Sequence, residues 1–201
     1  MSEQKWRPGI RRVAMLAVLV VMGSCSLGPS DGPVSDTENA CTIISERPHW
    51  YRAAKEAEAR WGVPRELVFS IIWRESSFRA DARTRRTFFL GIIPTGRVSS
   101  AYGFAQAIDG TWAWYRKETG NSGADRESFR DAADFVGWYT AKTKQSNGIS
   151  QSDAYNQYLA YHEGHAGFRR GTWRQKGWLQ EVARGVARQT GRYRAQLAQC
   201  G

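Results

Sequence analysis

The chain has 201 residues, a length that suits one globular domain together with targeting segments. Hydrophobic residues make up 41% of it, enough to build a core, so global disorder is excluded. The formal net charge of +10 favours a polyanionic partner, such as nucleic acid, acidic lipid headgroups or an anionic cell wall. The alternative is a basic surface that only aids solubility.

The first 24 residues have the pattern of a secretory signal. Residues 1–12 are polar and basic, residues 13–23 form an uninterrupted apolar run, and small residues follow. A membrane-spanning helix needs about 20 apolar residues, which is longer than this run. A cleaved signal is therefore favoured over a permanent transmembrane helix.

Cys25 follows Met22, Gly23 and Ser24, and together they resemble the lipobox of bacterial lipoproteins. The resemblance implies that Cys25 is lipidated and becomes the new N-terminus. The alternative is an ordinary signal peptide with a coincidental cysteine. Since Ser26 follows, the resemblance also implies export to the periplasmic face of the outer membrane, where the organism has one.

Residues 26–40 are rich in Gly, Pro, Ser and Asp and have little to bury, which predicts a flexible tether. The predicted organisation is a signal peptide at 1–24, a tether at 25–40 and one domain at 41–201. If Cys25 carries lipid, Cys41 and Cys200 remain at the two ends of that domain. In an oxidising compartment they are expected to form a disulfide; the alternative is two free thiols.

The domain is predicted to be mainly α, and no strand alternation is sustained. Helix start and stop residues predict, in chain order, helices at 48–61, from 63–64 to 77, at 110–119 capped by Asp109, and at 131–147, 152–163, 178–189 and 193–198. The exception is 84–100, where an apolar stretch is broken by glycines and a proline. It is interpreted as an irregular loop or short hairpin, with three alternatives: buried core, a cleft wall or a membrane-touching element.

Glu75 lies at the end of an apolar helix, on one face with Leu67 and Ile71. Apolar surroundings favour the neutral form of a carboxyl group and raise its pKa. A protonated carboxyl near neutral pH is what glycoside cleavage requires as an acid. The alternative is a glutamate paired with Arg74 or Arg79 at a helix end.

Three short motifs occur in order along the domain: Glu75-Ser76-Ser77-Phe78, then Tyr102-Gly103-Phe104-Ala105-Gln106, then Ala160-Tyr161-His162-Glu163-Gly164. Together they resemble the lytic transglycosylase family with the soluble lytic transglycosylase (SLT) domain, which has a goose-lysozyme-like fold. The resemblance covers roughly residues 50–168. It implies a lysozyme-like domain that cleaves peptidoglycan glycan strands.

The resemblance implies a role for each matching residue. Glu75 matches the single catalytic acid and base, and Ser76 matches the serine that helps to hold substrate. Gly103 and Gln106 match the cleft segment whose amide hydrogen bonds sugar N-acetyl groups, and Phe104 between them is likewise expected to bind substrate. Tyr161 matches the tyrosine that supports the catalytic carboxyl and the substrate. His162 is also expected to bind substrate, although it stands where the family usually has Asn, and the segment between Ser77 and Tyr102 is long for the family.

Hydrolysing glycosidases usually need two carboxylates, and no motif places a second one here. Asp81, Asp109 and Glu163 are candidates by position only. The resemblance instead implies a lyase that cleaves the β-1,4 bond between N-acetylmuramic acid and N-acetylglucosamine and leaves 1,6-anhydromuramoyl ends. The alternatives are a hydrolase on the same fold and a non-catalytic peptidoglycan-binding lipoprotein.

The expected partners are glycan strands and, through the lipid anchor, a membrane. We expect a monomer that needs no cofactor and does not bind nucleic acid, since the export signal argues against that partner. His162 and His165 flank Glu163 and Gly164, but the zinc protease motif has two residues between its glutamate and second histidine, so no metal site is predicted.

Overall fold

The computed structural model describes residues 1–2, 32–90 and 92–201. Residues 3–24 of the expected signal peptide and the expected lipidation site, Cys25, lie outside these ranges. The helices are α1 (Ala40–Glu46), α2 (Pro48–Trp61), α3 (Arg65–Ser76), α4 (Asp109–Thr119), α5 (Phe129–Asn147), α6 (Ala154–Arg170) and α7 (Gly177–Cys200), with a short 3-10 helix at Thr172–Gln175. The predicted mainly α fold is confirmed.

Residues 84–100, which were interpreted as an irregular loop or a short hairpin, contain a β-hairpin. Strands β1 (Arg86–Phe89) and β2 (Ile93–Arg97) pair antiparallel, with an irregularity in the register between Thr87 and Phe88. At its base, the Thr84 hydroxyl donates to the carbonyl of Ser99 at 2.7 Å. Of the two structures the sequence allowed, the hairpin is therefore present.

Some helix boundaries differ from the prediction. Helix α1 was not predicted; the Asn39 side chain caps it by accepting from the backbone N–H of Cys41 and Thr42. Asp109 was expected as the cap of α4, but it is the first helical residue and Ile108 holds the cap position without a side-chain bond. Helix α7 is continuous, where two helices were predicted, because its buried face includes Gln189 and Thr190 between the apolar residues.

The core is formed where α5 packs against α2, α3 and α6, and where α7 packs against α3 and α6. At its centre is Trp50, which is fully buried. The Trp50 ring stacks on Phe129 at a centroid distance of 4.6 Å and on Phe78 at 5.5 Å, and Phe104 meets its edge at 5.4 Å. Such contacts add to the free energy of apolar burial. This cluster joins α2, α5 and the two loops that follow α3 and the hairpin.

The packed domain begins before the predicted boundary at residue 41. Val34 is buried, the Tyr193 hydroxyl donates to the carbonyl of Thr37, and the Ala40 N–H donates to the side chain of Gln196 at 2.8 Å. Residues 34–40, expected to belong to the tether, are therefore part of the domain. The polar composition predicted a flexible tether here. Hydrogen bonds between side chains of α7 and the backbone of Thr37 and Ala40 instead hold this end of the chain in place.

Cys41 and Cys200 form a disulfide that joins the start of α1 to the end of α7, across a sequence separation of 159 residues. Of the two alternatives for these cysteines, the structure has the disulfide. Within the described ranges, none of the helices is both long enough and apolar enough for a membrane crossing.

We predict that Cys41→Ser/Cys200→Ser lowers the free energy of unfolding by up to about 4–5 kcal/mol, because a closed loop of this length removes much entropy from the unfolded chain. Urea unfolding of the oxidised chain and of the variant measures the difference. Cys25→Ser is the matched control, since this cysteine takes no part in the bridge. A loss no larger than that of the control would contradict the prediction.

Candidate active site

A cleft of about 420 Å³ opens between the end of α3, the base of the hairpin and helices α4, α5 and α6. It is lined by Glu75, Thr84, Ser99, Ala101, Gln106, Ala107, Ile108, Thr111, Phe135, Tyr139, Tyr161, His162, Glu163 and Gly164. Residues from all three sequence motifs therefore meet in one cavity. A concave site with a few polar groups among aromatic side chains is typical of ligand binding.

Glu75 occupies the cleft from the last turn of α3. Leu67 and Ile71, on the same helix face, are fully buried, whereas Glu75 is only half-buried and reaches the cavity. The apolar pattern that carries the helix into the core thus ends in a carboxyl group at the cleft wall. Burial raises the pKa of Glu75 from 4.5 to about 7, although two neighbouring groups act in the opposite direction.

The first of these groups is Tyr158 on α6, whose hydroxyl hydrogen bonds the Glu75 carboxyl and stabilises its ionised form. The second is the positive charge of Arg74. Burial is the largest effect, so at neutral pH the carboxyl is divided between its acid and base forms. Arg79, the other expected partner, pairs instead with Asp81 at 3.6 Å.

Tyr161 was expected to support the catalytic carboxyl, but the structure gives its hydroxyl another partner. It donates to the carbonyl of Ala105 at 2.6 Å and so ties α6 to the loop that follows the hairpin. Burial and then the nearby negative charge of Glu75 raise the pKa of Tyr161 well above its ordinary value. Tyr161 lines the cleft beside Glu75, while Tyr158 makes the bond to the carboxyl.

The loop around Gly103 and Gln106 forms the cleft floor. Gly103 has φ +79°, and a Cβ there would lie 2.2 Å from the carbonyl oxygen of Arg126, so only glycine fits. The Gln106 amide nitrogen donates to the carbonyls of Ala82 at 2.8 Å and Gly103 at 2.9 Å. These bonds fix the amide at the cavity and leave its oxygen facing no hydrogen-bond donor among the described residues.

Three residues expected to contact substrate do not line the cleft. Ser76 is buried and its hydroxyl donates to the carbonyl of Ile72 at 3.1 Å, within its own helix. Phe104 is fully buried against Trp50, and Gly103 is buried under Arg126. Their expected direct contacts are corrected to packing roles, because motif matching identifies a segment but not the side of it that faces the cavity.

The turn after Glu75 is conformationally unusual. Ser77 and Phe78 both have left-handed backbones, with φ of 52° and 59°, and Gln106 has φ of 48°. Such a conformation costs a non-glycine residue about 1–3 kcal/mol and persists where surrounding contacts hold it. Here the fully buried Phe78 ring, stacked on Trp50, holds the turn. Strained residues therefore flank the cleft on both sides.

His162 and Glu163 lie at the rim contributed by α6, just before the kink at Gly164. His162 is exposed, with its ring edge on Trp178 at 5.3 Å. Burial opposes ionisation of Glu163, but hydrogen bonds from Lys176, Thr172 and His162 outweigh it and lower the pKa to about 2. Lys176 lies 2.8 and 3.0 Å from the two oxygens. Glu163 is thus a permanently ionised, fully bonded carboxylate.

The other two carboxylate candidates lie away from the cavity lining. Asp81 is exposed beside Arg79, and Asp109 is exposed and bonded to Arg126 at 2.7 Å. His165, considered with His162 for metal binding, stacks on Tyr139 at 4.4 Å and approaches the Thr143 hydroxyl at 3.0 Å. Among the residues that the structure describes, no three His, Cys, Asp or Glu side chains come together as a metal site.

The residues at or beside the cleft that the sequence did not indicate include Thr111, Phe135, Tyr139 and Tyr158. Tyr158 had a usable signal, since it precedes Tyr161 by three residues and so shares its helix face. Phe135 and Tyr139 are likewise one turn apart on α5. No signal in the sequence indicated Thr111, because its position at the cleft depends on how α4 packs.

The comparisons with known proteins agree with this geometry. A family model described as "Transglycosylase SLT domain" matches residues 13–200, which is nearly the whole chain. In the comparison with curated protein sequences, no match was found.

We predict that Glu75→Gln stabilises the protein at high pH. Because folding raises the pKa of Glu75, its neutral form favours the folded state fully below pH 4.5, and that contribution is lost as the pH rises through about 7. The amide of Gln does not ionise, so the variant keeps this stability as the pH rises. Above pH 8 the variant should be more stable by on the order of 2–3 kcal/mol, with the difference vanishing near pH 4.

Urea unfolding of both proteins across this pH range measures the effect. Asp81→Asn, at an exposed carboxylate, is the control and should show no comparable pH-dependent gain. A difference for Glu75→Gln that is the same at pH 4 and pH 8 would show that the carboxyl is not held neutral.

Proposed function

The chain belongs to the transglycosylase SLT domain family, a family of peptidoglycan lytic transglycosylases, and from this premise we propose the reaction that its cleft carries out. We propose that it cleaves the β-1,4 bond between N-acetylmuramic acid and N-acetylglucosamine and leaves 1,6-anhydromuramoyl ends. The observation that carries the proposal is the half-buried Glu75, whose pKa of about 7 suits it to both donate and accept a proton.

In the first step, the protonated Glu75 carboxyl donates to the bridging glycosidic oxygen as the bond to the anomeric carbon breaks. The N-acetyl carbonyl oxygen of the muramoyl residue stabilises the positive charge that develops at that carbon. In the second step, the Glu75 carboxylate removes the proton from the muramoyl 6-hydroxyl, and this oxygen bonds to the anomeric carbon. The carboxyl regains its proton, and no water is consumed.

The surrounding residues support these two steps. Tyr158 hydrogen bonds the carboxylate form and so stabilises Glu75 after it has given up its proton. The Gln106 amide nitrogen is held by Ala82 and Gly103, which leaves its oxygen to accept from the N–H of a sugar N-acetyl group. Phe135 and Tyr139, both buried in the core, form part of the apolar wall of the cleft.

The state of Glu163 favours this reaction over hydrolysis. A hydrolase usually needs a second carboxylate to act as nucleophile or to activate water. Glu163 is the other carboxylate among the described residues that line the cleft, but Lys176, Thr172 and His162 occupy its oxygens. Glu163 instead joins α6 to the segment that begins α7.

We further propose that the chain acts as a monomer, exported by residues 1–24 and anchored through a lipid on Cys25 at the periplasmic face of the outer membrane. The Cys41–Cys200 disulfide supports export, because disulfides persist in oxidising compartments. Mass spectrometry of the protein recovered from cell membranes tests the anchor. A mature chain that begins at a lipidated Cys25 supports it, and one that retains residues 1–24 contradicts it.

We predict that the wild-type protein releases 1,6-anhydro muropeptides from purified sacculi and that Glu75→Gln releases none while still co-sedimenting with them. Digestion in oxygen-18 water, followed by mass spectrometry, should show no heavy oxygen at the new ends. Asp81→Asn, the matched carboxyl-to-amide control, should act at the wild-type rate. Reducing ends that carry oxygen-18 would identify a hydrolase. A wild-type protein that binds sacculi and releases nothing would identify a binding protein.

We predict that Tyr158→Phe moves the alkaline limb of the kcat/KM profile upward by about one pH unit. Removing this hydrogen bond destabilises the Glu75 carboxylate, so the pKa rises and the acid form persists to higher pH. Tyr161→Phe is the matched control. Its hydroxyl bonds the Ala105 carbonyl, so the variant should lower the rate without moving the limb. A shift in Tyr161→Phe alone would assign support of the carboxyl to Tyr161.

A further inference from the structure

The β-hairpin carries an unusual concentration of exposed aliphatic side chains. Of the eight large apolar residues that are exposed in the described part of the chain, four lie between residues 90 and 98. Leu90 and Ile92, at the tip, are each 77% exposed; Ile93, which begins the second strand, is 54% exposed, and Val98, just after that strand, is 69% exposed. Single exposed apolar residues are ordinary, but a cluster marks an interaction surface.

The same hairpin is strongly basic. Four exposed arginines, at positions 83, 85, 86 and 97, lie along its two strands and its base. None of them pairs with a carboxylate among the described residues. Arg97 donates to the carbonyl of Thr84 at 2.6 Å, and the Arg83 guanidinium lies over the Tyr102 ring at 3.8 Å. Beyond the hairpin base, the Asp81 carboxylate is held by Arg79. The positive charge of the hairpin is therefore not neutralised.

We propose that this hairpin is a docking element for an anionic lipid bilayer, with its aliphatic tip in the interfacial region and its arginines on lipid phosphates. Apolar side chains that enter the interface gain the free energy of burial, and adjacent arginines gain attraction to anionic headgroups. The order along the hairpin fits this geometry: Leu90, Ile92 and Ile93 are at the tip, and Arg85, Arg86 and Arg97 lie behind them, with Val98 at the base.

Charge and apolarity together favour lipid over the other occupants. An anionic cell wall could pair with the arginines, but the hydroxyl and amide groups of a glycan strand give aliphatic side chains no reason to leave water for it. A second copy of the chain, meeting hairpin to hairpin in a two-fold pair, would bring two sets of unpaired arginines together. An anionic bilayer satisfies both the apolar tip and the basic strands.

Docking through the hairpin would also orient the cleft. Thr84 and Ser99, joined by a hydrogen bond at the hairpin base, both line the cavity, as does Ala101 just beyond them. The cleft edge is therefore a direct continuation of the two strands. A hairpin fixed at a lipid surface sets the height and tilt of the cavity above that surface, whatever reaction the cavity carries out.

The first test places an environment-sensitive fluorophore at the tip. The full-length chain with Cys25→Ser and Ile92→Cys has one free thiol, since Cys41 and Cys200 are bonded. Vesicles of phosphatidylcholine and phosphatidylglycerol in equal amounts should shift the emission to the blue, and nitroxide-bearing lipids should quench it. The same label on Ser146→Cys, exposed near the end of α5, should stay in water. This local signal does not depend on how residues 1–24 bind the vesicles.

Two outcomes of this test would overturn the proposal. The first is a label at position 92 that remains in water while the protein sediments with anionic vesicles. The second is a shift that occurs without vesicles and grows with protein concentration, which would show that a second copy covers the tip.

The second test separates local docking from general charge. Arg85→Gln/Arg86→Gln should lower partitioning onto the anionic vesicles about tenfold or more, because each arginine near such a surface contributes measurably to binding. Arg169→Gln/Arg170→Gln removes the same charge from an exposed adjacent pair at the end of α6 and should have a much smaller effect. Equal losses in the two variants would mean that overall charge alone attracts the protein, and the proposal would fall.

Discussion

The site depends on the partial removal of one carboxyl group from water. Glu75 ends a helix whose preceding turns, at Leu67 and Ile71, are fully buried, so the core that stabilises α3 also desolvates the carboxyl. Burial alone would keep the group neutral, and Tyr158 and Arg74 draw its pKa back to about 7. The balance between these opposing effects, with burial the larger, is what the proposed role of Glu75 as acid and then as base requires.

The position of this carboxyl is maintained by packing outside the cleft. The chain leaves α3 through Ser77 and Phe78 in a left-handed conformation, which two non-glycine residues adopt only under constraint. The constraint is the aromatic cluster around Trp50, in which Phe78 and Phe129 stack on its ring and Phe104 meets its edge. Phe104 therefore serves the site from the core, since it anchors the loop that presents Gln106.

The two carboxylates that line the cleft illustrate how environment separates their roles. Glu75 has one hydroxyl partner and a pKa raised to about 7, whereas Glu163 accepts bonds from a lysine, a threonine and a histidine and has a pKa lowered to about 2. The first exchanges protons near neutral pH, and the second stays ionised and structural. The hairpin adjoins the same cleft, because its base lines the cavity and its exposed apolar and basic residues extend away from it.

The sequence by itself determined the helical class, most helix positions, the hairpin as one of two choices and the glutamate whose carboxyl group lies in the cleft. These follow from local rules: helix start and stop residues, and an apolar face that ends in Glu75. Only the tertiary structure decided that Tyr158, and not Tyr161, bonds that carboxyl, and that Ser76, Gly103 and Phe104 face inward. It also placed residues 34–40 in the domain and engaged Glu163 with Lys176. Each of these depends on contacts between elements far apart in the chain, and a motif or a composition does not specify which side of a segment meets them.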